Sequence, residues 1–334
     1  MWDFVEVAHG TAFQRSPGGG AAGGFRFVTA TGSNLTQQGA RDSMMAVHHR
    51  TASVNGHRVF YREAGPGDAV VVVLLHGFPT SSRMFRNLIP ALADRYHLVA
   101  PDHLGFGYSD TPSSDEFDYT FDALADVTEG LLDHLGVSQY AMYVQDYGAP
   151  IGWRLALRRP HVVKAIITQS GNAYDEGFVP EFWRAVWAYA DGPCPETEAA
   201  VRRALEPEAI RWQYLTGVSQ PDLVDPDTWV LDHAQLQREG NDRVQLALFR
   251  DYATNPPLYP AVHEYFRASQ VPLLAIWGAG DMIFGPQGAL AFANDLPNAE
   301  IHLLDGGHFL LESQLDTVAG YIRGFLGRTF SAKT

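Results

Sequence analysis

A chain of 334 residues with 46% hydrophobic and 12% aromatic side chains can build a substantial core, as one large domain with an insertion or as two domains. Its net charge of −14 argues against nucleic acid or an anionic membrane surface as a partner, and no apolar run reaches the roughly 18 residues a membrane helix needs. Cys194 stands alone, which excludes an intrachain disulfide and makes the reducing cytoplasm the simplest location.

At the start of the chain Asp3 and Glu6 stand where a secretory signal would carry Lys or Arg, and no continuous apolar core follows them. Residues 9 to 43 are rich in Gly, Ala, Ser and Thr and lack the apolar surface to order themselves. The expectation is a flexible extension over residues 1–43, with Met44 or Met45 as a natural start. Thr51 to Tyr61 carries an Asn55-Gly56 pair between β-prone flanks, the strongest short hairpin signal. Val70 to Leu75 is a continuous apolar run, as expected of a strand covered on both faces of a parallel sheet. It ends in His76-Gly77-Phe78-Pro79-Thr80, and Ser81 to Asp94 reads as a helix.

His97 to Pro101 is a second short strand, and Phe121 to Leu135 spaces its apolar residues for one helix face. Tyr140 to Val144 reads as a strand and leads into Gln145-Asp146-Tyr147-Gly148-Ala149; a helix follows over Ile151 to Arg159, then a strand at Val163 to Thr168. Strands alternating with helices predict an α/β fold with a mostly parallel sheet and right-handed crossovers. Ligands of such sheets sit at the carboxyl ends of the strands, where His76, Asp110 and Asp146 fall.

After Gly171 the alternation stops. Residues 172–268 carry helical segments, proline-rich joints and many large aromatics, with Trp183, Trp187 and Tyr189 on one helix. These aromatics serve as the core of a small helical subdomain, as a lid whose inner rings line an apolar pocket, or as both. Strands resume at Pro272 to Trp277, ending in Gly278-Ala279-Gly280-Asp281, and at Glu300 to Leu304, ending in Asp305-Gly306-Gly307-His308-Phe309; a helix closes the chain from Leu315 to Leu326. The expected division is a core of residues 44–171 and 269–334 interrupted by the lid.

Gly148 and Ala149 allow the strand before them to turn sharply into a helix, the geometry of a nucleophile elbow with Asp146 at its apex. Asp146 also fits as a simple cap of that helix. As a nucleophile, a carboxylate suits attack on a saturated carbon bearing a leaving group, giving an ester that water can cleave. Asp146, Asp281 and His308 follow three different strands in the order nucleophile, acid, histidine. Asp146 would attack carbon, His308 would activate water, and Asp281 would hold the imidazole in one tautomer. The N–H groups of Phe78 and Tyr147 are the expected oxyanion donors.

Together, His76-Gly77-Phe78-Pro79, Gly105-Phe106-Gly107-Tyr108-Ser109, the Asp146 elbow, Gly278-Ala279-Gly280-Asp281 and Gly306-Gly307-His308 resemble the α/β-hydrolase fold family. The resemblance covers residues 47 to 328 and lies with its epoxide hydrolase and haloalkane dehalogenase branch. It implies a cofactor-independent hydrolase that uses no metal, and a small apolar substrate with water as the second reactant. The expected pocket residues are His76, Pro79, Trp183, Trp187 and Phe309. Dehalogenases of this branch use a tryptophan beside the nucleophile, and many an asparagine in the oxyanion loop, to hold the departing halide; Tyr147 and Phe78 stand there instead. Epoxide hydrolases use two lid tyrosines as acids. Tyr252 resembles the second by its place late in the lid, and Tyr214 is the choice for the first, with Tyr189 and Tyr174 as rivals. The reading is thus an epoxide hydrolase. A dehalogenase with the same triad and a non-catalytic small-molecule-binding protein are the alternatives, and a homodimer is compatible with the sequence.

Overall fold

The computed structural model describes residues 46–331. The expected extension over residues 1–43 and the start at Met44 or Met45 lie outside them. The predicted hairpin forms from β1 (His48–Val54) and β2 (His57–Ala64), with Asn55 and Gly56 both at positive φ in the turn. β3 (Val71–Leu75) follows, and then the chain departs from expectation. Instead of one helix over residues 81–94 there is a 3₁₀ turn at Ser82–Phe85 and a separate short helix, α1 (Leu88–Leu92). Pro90 explains the break: it falls in the first turn of α1, where its missing N–H is no loss, whereas one long helix would bury it in the interior.

β4 (His97–Pro101), α2 (Phe121–His134), β5 (Tyr140–Gln145), α3 (Gly148–Arg158) and β6 (Val163–Gln169) follow as read from the sequence. Thr120 caps α2, its hydroxyl accepting the Ala123 N–H. Six helices then come before the next strand: α4 (Pro180–Asp191), α5 (Pro195–Arg202), α6 (Pro207–Leu215), α7 (Asp227–Leu236), α8 (Asn241–Asp251) and α9 (Tyr259–Ser269). β7 (Leu273–Gly278), α10 (Pro286–Ala291), β8 (Glu300–Leu304), α11 (Leu310–Ser313) and α12 (Leu315–Ser331) complete the chain.

The eight strands form one sheet in the order β1-β2-β4-β3-β5-β6-β7-β8. β1–β2 and β2–β4 are antiparallel, and every pair from β4 to β8 is parallel. All six residues of β5 are buried, as the centre of a two-sided sheet requires. Helices flank the sheet: α1 packs on α12, and α2 packs on α3, which lies against β3 and β5. Leu75 pairs with Val144 and Gln145 with Gln169, so the loops after β3, β5 and β6 leave the sheet at the same level. This register sets the Phe78 loop beside Asp146.

Candidate active site

The elbow forms as the small residues demand. Asp146 has φ +47°, a strained backbone position for a residue with a side chain, held by the strand before it and the helix after it. Gly148 permits the turn, since a Cβ there would lie 2.1 Å from the Leu75 carbonyl oxygen. Gly77 permits the facing loop to close in, since its Cβ would lie 2.3 Å from the Asp146 Cβ. The Phe78–Pro79 peptide bond is cis.

The close approach brings the two expected donors onto one oxygen. The Phe78 N–H donates to Asp146 Oδ1 at 2.7 Å and the Tyr147 N–H at 2.6 Å. The other carboxylate oxygen, Oδ2, lies 3.9 Å from His308 Nε2. On the far side of the imidazole, Nδ1 is 3.0 Å from Asp281 Oδ2. Asp281 is itself held by four contacts: Ser170 Oγ and the His308 ring on Oδ2, and the Ile283 and Phe284 N–H groups on Oδ1. All three triad side chains are buried. Burial raises the Asp146 pKa to about 6, although the charge of His308 and the two N–H donors pull it down. Burial also pushes His308 down, but Asp281 and then Asp146 outweigh it and leave its pKa raised. The arrangement is therefore a carboxylate with one oxygen anchored and one free, beside an imidazole oriented by a second carboxylate.

Two neighbours that sequence reasoning missed complete this core. Gln145 Nε2 lies 2.8 Å from His308 Nε2. Gln169 Nε2 donates to the His308 carbonyl at 2.9 Å, while its Oε1 accepts from the Tyr143 hydroxyl. The available sign was two glutamines closing largely apolar strands at the sheet's carboxyl edge.

Three of the other predicted site residues, and Asp110 at the same sheet edge, need comment. His76, an expected pocket residue, acts as a brace. It is fully buried, with Nδ1 on the Gly77 carbonyl and Nε2 accepting the His103 N–H, so both ring nitrogens tie the β3 loop to the β4 loop. Asp110 likewise serves the scaffold, paired with Arg58 at 2.9 Å. Tyr214 does reach the site's rim, stacked on Phe309 with ring centroids 4.0 Å apart, but its hydroxyl donates to the buried Asp232 carboxyl, whose pKa burial raises to about 7. Trp183 spends its indole N–H on the Ile283 carbonyl at 2.9 Å.

Tyr252 is buried in an aromatic cluster, its ring 4.4 Å from Trp183, 5.8 Å from Tyr147 and 6.0 Å from Trp187. Its hydroxyl pairs with that of Tyr259, and burial holds its pKa well above the ordinary value. The Tyr147 hydroxyl is buried with no partner. Phe249 links the site to the helical insertion: its ring lies 5.2 Å from Phe78, and it also lines an apolar cleft of about 280 Å³ with Phe182, Val186, Val201 and Trp212. A larger cleft of about 720 Å³, lined by Asp118, Arg202, Arg243 and Arg250 among others, lies away from the triad and carries no comparable nucleophile. Among the described residues no group of three His, Cys, Asp or Glu side chains could hold a metal ion, and no helix is long and apolar enough to cross a membrane.

An uncharacterized hydrolase of Saccharomyces cerevisiae, YNR064C, is 41% identical over 280 residues, covering 83% of this chain and 96% of that protein. A cis-3-alkyl-4-alkyloxetan-2-one decarboxylase of Shewanella oneidensis is 27% identical over 88% of this chain and 92% of its own. Haloalkane dehalogenase 2 of Mycobacterium tuberculosis is 30% identical over 79% and 90%. The solved structure of the epoxide hydrolase CorEH shares the fold, with a TM-score of 0.70 and 22% identity over 85% of this chain and 99% of its own. Residues 70–314 match the family model described as alpha/beta hydrolase fold. The chain belongs to that family and is a hydrolase of this fold, with a haloalkane dehalogenase among its relatives.

Proposed function

We propose that this hydrolase opens an epoxide to a vicinal diol through a covalent ester on Asp146. The observation that carries the reading is the split carboxylate, with Oδ1 bound by two N–H donors and Oδ2 left facing His308. Oδ2 attacks a ring carbon, the carbon–oxygen bond breaks, and the ring oxygen takes a proton from Tyr252, which burial keeps protonated. Water then gives a proton to His308 and adds to the ester carbon, and the negative charge on Oδ1 falls on the Phe78 and Tyr147 N–H groups. Collapse expels the diol oxygen, which takes the proton from His308, and the proton left on the Asp146 carboxyl returns to the Tyr252 phenolate. Tyr214 is not assigned the acid role, because its hydroxyl is given to a buried carboxyl, that of Asp232, whereas Tyr252 pairs only with the neutral hydroxyl of Tyr259. The helical insertion acts as the lid, and the apolar cleft ending at Phe249 suits an apolar substrate.

A second reading is haloalkane dehalogenation by the same triad. The unpartnered Tyr147 hydroxyl and the 30% identical dehalogenase favour it. Against it, the Trp183 indole is already engaged and the Phe78 side chain offers no donor to a departing halide.

The test is the intact mass of a His308→Gln variant soaked separately with an epoxide, a haloalkane and a cis-dialkyl oxetan-2-one. That variant forms the ester but hydrolyses it slowly. An adduct equal to a whole epoxide supports the proposal. An alkyl adduct without its halogen makes the chain a dehalogenase, and an adduct from the oxetanone alone aligns it with the decarboxylases. Binding without any adduct turns the reading to a non-catalytic carrier.

A further inference from the structure

His308 gives its Nδ1 hydrogen to Asp281, so the neutral ring presents a lone pair at Nε2. That lone pair needs a donor, and the nearby donor is the Gln145 amide at 2.8 Å. This orientation directs Gln145 Oε1 the other way, where it is buried and has no partner. The reverse amide orientation would set Oε1 against a bare lone pair and orphan an N–H instead. Gln145 itself has no solvent exposure, so Oε1 is a costly acceptor left open in a closed site. It lies beside the nucleophile: a Cβ built on Gly77 would collide with Gln145 Oε1 at 2.7 Å, Asp146 Oδ1 at 2.5 Å and Asp146 Cβ at 2.3 Å, so the amide oxygen and the carboxylate flank the same tight turn.

We propose that Gln145 is a positioning residue for ester hydrolysis: its N–H holds His308 Nε2 in the proton-accepting form, and its Oε1 aims the attacking water. Resting on the covalent reading above, the step is explicit. Water displaces the Gln145 N–H from Nε2, places one hydrogen there and the other on Oε1, and turns its oxygen lone pair to the ester carbon of Asp146. The O–H bond to His308 breaks as the oxygen–carbon bond forms, and the second hydrogen stays on the new carboxyl group. The charged groups facing His308 are Asp281 from the loop after β7 and Asp146 from the elbow; the remaining close rings are Phe284 and Phe309.

The test uses Gln145→Met, which keeps length and loses both hydrogen bonds, and Gln145→Glu, which keeps shape and can only accept when ionised. His308 is titrated by NMR with labelled histidine, and single-turnover ester formation and decay on an epoxide are followed by rapid-quench mass spectrometry. An N–H donor stabilises neutral imidazole and a carboxylate stabilises imidazolium, so the His308 pKa should rise from wild type to Gln145→Met to Gln145→Glu. In Gln145→Met, ester formation should stay within about threefold while decay slows by about 10- to 100-fold, the scale of a misplaced reactant. Unchanged decay overturns the proposal. So does an equal loss in both steps with the His308 titration unmoved, which would mean packing alone. If His308→Gln never traps an ester, the covalent reading fails separately, and the order of the three titrations still judges the Gln145–His308 bond.

Discussion

The Asp281→Asn substitution separates the two halves of the reaction. Oδ1 of Asp281 accepts the Ile283 and Phe284 N–H groups at 2.8 and 3.1 Å, so the amide oxygen of the introduced asparagine must keep that side. Its NH₂ then faces His308 Nδ1 and Ser170 Oγ, where Oδ2 had accepted at 3.0 and 2.7 Å. Ser170 can rotate to accept. His308 must move its proton from Nδ1 to Nε2, and Nε2 then ceases to be a base. A histidine held in the wrong tautomer loses about 10⁴ in rate, or about 5.4 kcal/mol of barrier at 1.36 kcal/mol per tenfold. Only ester decay should show this loss. Attack by Asp146 needs no base, and removing the Asp281 charge eases Asp146 ionisation, because that charge raises the Asp146 pKa. Ester formation should therefore stay within about threefold of wild type while the adduct accumulates. Rapid-quench mass spectrometry of a single turnover reads both rates, and thermal melting checks that the variant is folded. Decay slowed by less than about tenfold, or formation falling in step with decay, would refute the tautomer argument.

Four further outcomes are expected. Ester formation should fall about tenfold per unit below pH about 6, because the raised Asp146 pKa keeps the unreactive acid form populated up to that point; a single-turnover pH profile with its plateau extending down to about pH 4 would contradict this. Ester decay should in turn reach its plateau at a lower pH than the free-protein His308 titration, since esterification removes the Asp146 charge that helps raise His308. Gly77→Ala drives a Cβ to 2.3 Å from the Asp146 Cβ, so the loop must retreat and take the Phe78 N–H off Oδ1; turnover should fall by about 10² to 10³, as for a lost oxyanion donor, which steady-state kinetics on folded protein would measure. Tyr252→Phe should slow ester formation from an epoxide by about 10² to 10⁴ yet leave formation from a haloalkane unaffected, because only the ring oxygen needs an acid.

Much of the site was legible because its determinants are local. Asp146 between Gln145 and Tyr147, with Gly148 next, specifies an elbow through backbone sterics, and the structure has the positive φ that this requires. The apolar runs at Val71–Leu75, Tyr140–Val144 and Leu273–Trp277 specify strands buried on both faces. Three parallel strands then carry Asp146, Asp281 and His308 to one sheet edge, each just past the strand's carboxyl end. Pro90 was also visible in the sequence, and its preference for a first turn should have split the helix expected over residues 81–94.

What the chain could not reveal by itself is which polar groups are already satisfied. Trp183 and Ile283 are 100 residues apart, Tyr214 and Asp232 are 18 apart on different helices, and Gln145 and His308 are 163 apart. A side chain's type says that it can donate or accept, but its partner is chosen by packing between distant segments, and burial then decides what an unused group costs. The sequence by itself thus determined the parallel strands, the elbow and the strand ends that carry Asp146, Asp281 and His308, because these rest on local backbone geometry and on where each strand stops. Only the tertiary structure decided that His76 braces a loop, that the Trp183 and Tyr214 donors are occupied, and that Gln145 meets the His308 imidazole, because each rests on a hydrogen bond that exists only once the loops and the insertion have packed.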